Sequence, residues 1–229
     1  LNEWSVPPGS ARPNPNVMTD FNLFTFNSKV FPGTDPLVVK TGQRVRIRFG
    51  NVSQESHPIH LHGYRFKVVG TDGGDIPASA QWPETTVVVF PGQTRDIEFV
   101  ADAPGDWPMH CHRRHHPMNA MGHDTPNMIG VDSTGVSDQI SDLVPDYMPM
   151  GEAGMGGMMA MEGPDNTLPA MAGEGPFGPI EMGGMFTLFK VRDRLTSYAD
   201  PGWYAHPKGT VAEPASGSSA AEAAPAHHH

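Results

Sequence analysis

Eight of the twelve histidines fall between positions 57 and 123. They form two clusters, His57-Pro58-Ile59-His60-Leu61-His62-Gly63 and His110-Cys111-His112-Arg113-Arg114-His115-His116, and the second holds the chain's single cysteine. Imidazole and thiolate are the side-chain donors that borderline and soft metal ions favour, so metal binding is the first chemistry to consider. A lone histidine would carry little weight, and a lone buried cysteine is commonly just a small hydrophobe. The spacing changes that. In a strand, residues i and i+2 share a face. His60 and His62 then point one way, as do His110 and His112, while Cys111 points the other way. The same parity puts His57, three residues before His60, on the side of the thiolate. One strand pair can therefore serve two metal sites, back to back.

The side bearing Cys111 can be completed locally. His116 lies five residues after the cysteine and Met121 ten after. Two histidines, one cysteine and a weak axial methionine make the ligand set of a blue-copper electron-transfer site. The loop from Cys111 to Met121 supplies three of those ligands, and His57 from a neighbouring strand supplies the fourth. Zinc is the chemical rival, because it accepts histidine and cysteine too. The distant methionine and the surplus of histidine favour copper, as does a chain with 12 His and 14 Met beside one Cys.

The elements that must position these clusters read as strands. Val45, Ile47 and Phe49 alternate with Arg44, Arg46 and Arg48; Tyr64, Phe66 and Val68 alternate with Arg65 and Lys67; Ile97 and Phe99 alternate with Asp96 and Glu98. Val87-Val88-Val89-Phe90 is a continuous apolar run, the pattern of a central strand. Turns fall at Thr41-Gly42, Asp72-Gly73-Gly74, Pro91-Gly92 and Ala103-Pro104-Gly105. Gly and Pro together make 50 of 229 residues (26 and 24), which argues against a helical bundle. Strands at this spacing, with no convincing helix beyond a turn or two, suggest an all-β sandwich or barrel. A single cysteine excludes an internal disulfide framework and a cysteine-rich zinc fold. A net charge of -10 disfavours nucleic acid as a partner. No apolar run is long enough for a membrane span.

Composition divides the chain. Residues 1–20 are rich in proline and read as a linker or N-terminal arm; the opening Leu1-Asn2-Glu3-Trp4 is polar and reads as a mature chain or one that starts mid-protein. The strand-forming domain runs over 21–210. Within it, 148–185 carries nine Met, ten Gly and five Pro, too little periodic apolar surface to offset its ordering entropy, and reads as a long flexible loop. Order returns with a last strand over 185–191. The tail over 211–229, small residues ending in three His, reads as disordered.

The pattern His57-Pro58-x-His60-x-His62-Gly63, with His110-Cys111-His112-x-x-x-His116-x-x-x-x-Met121 and the preceding Gly105-Asp106-Trp107, resembles the two C-terminal copper motifs of the multicopper oxidases. Asn119-Ala120-Met121-Gly122-His123, the Met-rich stretch and Met185-Phe186 most resemble the bacterial copper-resistance branch. The resemblance spans roughly 21–210. It implies a cupredoxin-like Greek-key β-sandwich, the last of the usual three domains. By the same resemblance, His57, Cys111, His116 and Met121 match type 1 copper ligands, His60 a type 2 ligand, and His62, His110 and His112 type 3 ligands. Electrons from a reductant, Cu(I) or a phenol, enter at type 1 in that family. They cross from the cysteine to its two histidine neighbours, and a three-copper cluster reduces dioxygen to water. The resemblance also implies a periplasmic or extracellular location.

Two departures stand out. The family builds its cluster from eight histidines, and this sequence contains four. It therefore resembles a C-terminal fragment or one half of an assembly, completed by N-terminal cupredoxin domains or by a partner chain. A stand-alone cupredoxin for electron transfer or copper sequestration is the alternative. In many bacterial members an acidic residue follows the second type 1 histidine; here that position is Pro117. In the Met-rich stretch, Met158, Met159 and Met161 are spaced to share a cuprous ion, since thioether sulfur suits Cu(I). His115 and His123 match no role in the family.

Overall fold

The computed structural model describes residues 1–7, 10–118, 139, 143, 173–180 and 182–211. In chain order its strands are β1 (Asn2–Trp4), β2 (Leu23–Thr25), β3 (Leu37–Lys40), β4 (Arg44–Gly50), β5 (His57–Leu61), β6 (Phe66–Thr71), β7 (Gly74–Asp75), β8 (Trp82–Glu84) and β9 (Thr86–Val89). They continue with β10 (Thr94–Val100), β11 (Gly105–Cys111), β12 (Gly173–Gly175), β13 (Gly178–Ile180) and β14 (Phe186–Arg192). A four-residue helix, α1 (His115–Met118), follows β11.

Two sheets face each other. One is ordered β4-β10-β6-β7, with β8 also paired to β6; the other is ordered β3-β14-β11-β5-β9. The chain crosses between them from β4 to β5, β5 to β6, β9 to β10 and β10 to β11, as a Greek-key sandwich requires. Alternation drives this. On β4 the apolar Val45, Ile47 and Phe49 turn inward, and Arg44, Arg46 and Arg48 pair outside with Glu98, Asp75 and Asp96. Between the layers lie Phe66, Val68, Ile97, Ile59, Leu61, Val89 and Phe189, all at most 1% exposed. Each such side chain contributes about 1.5–3 kcal/mol by leaving water. No described helix is long and apolar enough to cross a membrane.

Two segments differ from expectation. Most of the run at Val87–Phe90 lies in β9, at the sheet edge rather than its centre, since among the described residues only β5 pairs with it. It behaves as an ordinary two-faced strand: Val87 and Val89 are buried, while Val88 and Phe90 are 39% and 52% exposed. Within the expected arm over 1–20, Asn2–Trp4 forms a strand on β2, and Glu3 and Val6 are buried. Asn22 secures it, donating from Nδ2 to Val6 O and accepting at Oδ1 from Val6 N, both at 2.8 Å. Past β14 the chain folds back. Lys190 Nζ reaches Asp200 (2.7 Å) and lies 4.8 Å from the Trp203 ring centroid. The tail over 211–229 lies outside the described residues except for Val211, and most of the Met-rich stretch over 148–185 lies outside them too.

Candidate metal centre

Strands β5 and β11 are antiparallel neighbours, with His60 opposite His110 and Ile59 opposite Cys111. This register delivers the two faces that the spacing implied. On the inner face, His57 comes from the start of β5, Cys111 from the end of β11 and His116 from α1. All three are completely buried. His57 Nδ1 lies 3.0 Å from His116 Nδ1, and Cys111 Sγ lies 3.3 Å from His116 Nδ1 and 3.8 Å from His57 Nδ1. A metal bound at about 2.0–2.3 Å to three coplanar donors would separate them by about 3.5–4 Å. The trio fits such an ion with small adjustments.

The outward nitrogens explain the orientation. His57 Nε2 contacts Ser53 Oγ at 2.7 Å, with Glu3 Oε1 3.2 Å away. His116 Nε2 lies 3.2 Å from Glu55 Oε2, and Glu55 is also paired with Arg113. A proton on Nε2 that serves Ser53 Oγ in one ring and Glu55 Oε2 in the other leaves each Nδ1 lone pair facing the sulfur. Burial pushes the Cys111 thiol up to about 12; Arg113 opposes the shift, and Glu3 and Glu55 add to it. A cation at the centre of the trio reverses that balance, because a coordinating thiol gives up its proton.

On the outer face four imidazoles crowd together. His60 and His110 ring centroids are 5.7 Å apart, His60 and His62 4.7 Å, and His110 and His112 5.5 Å. His60 Nδ1 donates to Thr85 O at 2.8 Å, and His110 Nδ1 to Cys111 O at 2.9 Å. Both rings thus keep an unprotonated Nε2, and that of His110 lies 3.1 Å from His62 Nε2. Burial, against the hydrogen bond to Cys111 O and aided by the neighbouring imidazoles, holds His110 down to about 4. Burial and then His60 and His112 lower His62. Neutral imidazoles are what a metal needs.

Seven of the eight expected site residues therefore fall into two groups, three inside and four outside. Met121, like His123, Met158, Met159 and Met161, lies outside the described residues. Spacing did not reveal Glu3, Phe24, Ser53 or Glu55, which touch the inner histidines, or Arg113, which pairs with Glu55. His115 packs against His116 with centroids 4.3 Å apart. It joins Glu55 and His116 in a second group of donors within 4.8 Å of one another, but Arg113 already occupies Glu55.

The profile described as multicopper oxidase matches residues 7–128, just over half the sequence. The chain belongs to the multicopper oxidase family. Copper is the cofactor of that family, and the two-sheet sandwich is its cupredoxin fold. The chain is 40% identical over 98 residues to multicopper oxidase MmcO of Mycobacterium tuberculosis, covering 43% of this chain and 18% of that one. It is 36% identical over 93 residues to copper resistance protein A of Pseudomonas syringae pv. tomato, covering 41% and 14%. It is also similar to the solved blue copper oxidase of Nitrosomonas europaea, with 33% identity, a TM-score of 0.40, and 42% and 30% of the two chains covered. The chain thus spans under a third of each of these relatives. The donors present in this multicopper oxidase chain fit copper: a buried His-His-Cys trio on one side, four imidazoles on the other.

Proposed function

We propose that this chain is the C-terminal copper domain of a periplasmic or extracellular multicopper oxidase, with His57, Cys111, His116 and Met121 holding type 1 copper. His60, His62, His110 and His112 supply half of the ligands of a trinuclear cluster, and N-terminal cupredoxin domains or a partner chain supply the rest. Copper, when bound, provides one-electron chemistry at the inner site and dioxygen reduction at the outer one. Four one-electron donors, Cu(I) or a phenol, and four protons convert one dioxygen to two waters. The observation that carries this reading is the place of Cys111. Its sulfur sits in the inner trio, and its chain neighbours His110 and His112 belong to the outer group. Two covalent paths join the faces.

The test is to load the chain with copper and measure colour, copper stoichiometry and oxygen uptake with a reductant, alone and with a chain bearing the missing His-x-His pairs. A blue protein that gains oxygen uptake only in the mixture supports the proposal. A colourless one overturns it. A second reading, a stand-alone cupredoxin that transfers electrons or sequesters copper, draws on the outer face, which offers four imidazoles where the family's cluster uses eight. One firmly held copper and no response to the added chain would favour it.

A further inference from the structure

We propose that the ribbon of β1 and β2 is a working part of the copper centre, and that its cross-strand pair Glu3–Phe24 positions the two inner imidazoles. Glu3 and Phe24 are direct partners in the antiparallel ladder, so their side chains share one face of the ribbon. That face lies against the inner trio. Glu3 places Oε1 3.2 Å from His57 Nε2 with its side chain only 1% exposed. Phe24, completely buried, lies flat on the His116 ring with centroids 4.0 Å apart and planes at 15°. One residue pair thus reaches both histidines, across 54 residues of chain on one side and 92 on the other.

The histidines need this support. His116 sits on a helix of four residues, too short to fix a ring by itself. His57 turns about its own side-chain bonds unless its outer nitrogen is held, and Ser53 and Glu3 are what surround that nitrogen. Glu3 carries a second sign of purpose. Its Oε2 accepts from Gln54 N at 3.2 Å, but Oε1 has no hydrogen-bond partner among the described residues, although it is buried. A buried carboxylate oxygen without a partner is costly unless a nearby positive charge offsets it. A copper ion on the far nitrogen of His57 is such a charge. The ribbon is held independently of the metal, by Asn22 to Val6 and by Trp4 Nε1 to Thr25 Oγ1 at 3.3 Å. It can therefore impose an orientation rather than follow one.

This inference rests on reading His57, Cys111 and His116 as copper ligands, and the experiment separates the two. The Cu(II)-loaded chain is compared with Glu3→Gln, Phe24→Leu and the conservative Phe24→Tyr. The readouts are electron paramagnetic resonance, reduction potential, the rate of copper release to excess EDTA, and thermal unfolding of the metal-free forms. Glu3→Gln and Phe24→Leu should each release copper roughly tenfold faster, the low end for loss of a partner behind a ligand, with altered resonance spectra. Phe24→Tyr should restore the parent spectrum. Folded variants with the parent's spectrum and release rate overturn the proposal, even if they melt earlier, because that outcome is ordinary core packing. If Phe24→Leu does not fold, the near-isosteric Glu3→Gln decides alone. If the parent is not blue, the copper reading falls, and the positioning is read by nuclear magnetic resonance on the metal-free chain. There both variants must shift the ring signals of His57 and His116 while leaving His60 and His62 in place; unshifted inner rings overturn it.

Discussion

The two faces of the β5–β11 pair use the same residue type for opposite ends. Inside, two imidazoles and a thiol are completely buried, and each outer nitrogen is held by a neighbouring side chain, Ser53 for His57 and Glu55 for His116. Outside, His62 and His112 are exposed, and among the described residues two of the four rings have a nitrogen tied to a carbonyl. The inner set converges on one point; the outer set lines a surface. A site whose donors all come from one domain can be preorganised by that domain's core. A site that shares its donors with another surface has to stay open to it. The separation is the pleat of the strands, since residues one apart face opposite ways.

The sharpest way to break the comparison is Cys111→Ser. Copper should be held by the inner face more than about 100-fold less firmly, beyond the range typical of losing a supporting partner, and the blue colour should vanish. The outer histidines should still take up added Cu(II) weakly, as equilibrium dialysis can show. A variant that stays blue would mean that the inner trio is not the type 1 site.

The second largest contrast is in turnover. On the proposed reading, in which the outer face holds four of eight cluster ligands, the copper-loaded chain alone should show negligible oxygen uptake, because an incomplete ligand set lowers affinity. An oxygen electrode, with copper content and oligomeric state measured on the same sample, checks this. Sustained four-electron turnover by a monomer would sink the idea of a half-cluster.

A third prediction damages the outer face selectively. Gly63 follows His62 with a φ of +76°, and a Cβ there would sit 2.3 Å from Trp107 Cε3. The ring and the glycine backbone are therefore in direct contact, and His62 N donates to Pro108 O at 2.9 Å beside them. Gly63→Ala should cost about 2–3 kcal/mol from strain and overpacking together, measured by urea unfolding. It should move His62 away from His110 and leave the inner colour intact. Equal loss of both sites would show that the faces are not separable.

Much of this was legible because it is local. The alternation around Val45, Ile47 and Phe49 and the parity of His57, His60, His62, His110 and Cys111 depend only on the two-residue period of a strand. What was hidden depends on pairing between distant segments. Nothing near Glu3 marks it as the neighbour of His57, and nothing in Val87–Phe90 says that only one side of the strand will be paired. The proline-rich composition of 1–20 concealed a strand of three residues, because three residues are too few to display a period. Glu55 came nearest to being readable: it lies two residues before His57, but an acidic residue there has many ordinary explanations.

The last prediction is the smallest, and it sets the two faces against each other in the metal-free protein. Burial depresses the imidazole of His110 from 6.5 to about 4. Below pH 6.5 the unfolded chain takes up a proton that the folded chain refuses. The stability tied to this group is complete above 6.5 and is lost as the pH falls through 4. Cys111 runs the other way. Its thiol, pushed by burial from 9.0 to about 12, keeps a proton that the unfolded chain releases, so stability is complete below 9 and is lost as the pH climbs towards 12. The outer face should thus limit stability in acid and the inner face in alkali. Allowing for partial solvent relaxation, each should contribute on the order of 1–2 kcal/mol. Urea unfolding at pH 4.5, 7 and 10.5 is the measurement. Between pH 7 and 4.5, His110→Gln should lose about 1–2 kcal/mol less stability than the parent, while Cys111→Ala should flatten only the alkaline limb. If either substitution flattens both limbs, or neither, the faces do not titrate independently, and the two-sided description of the centre fails at its electrostatic level.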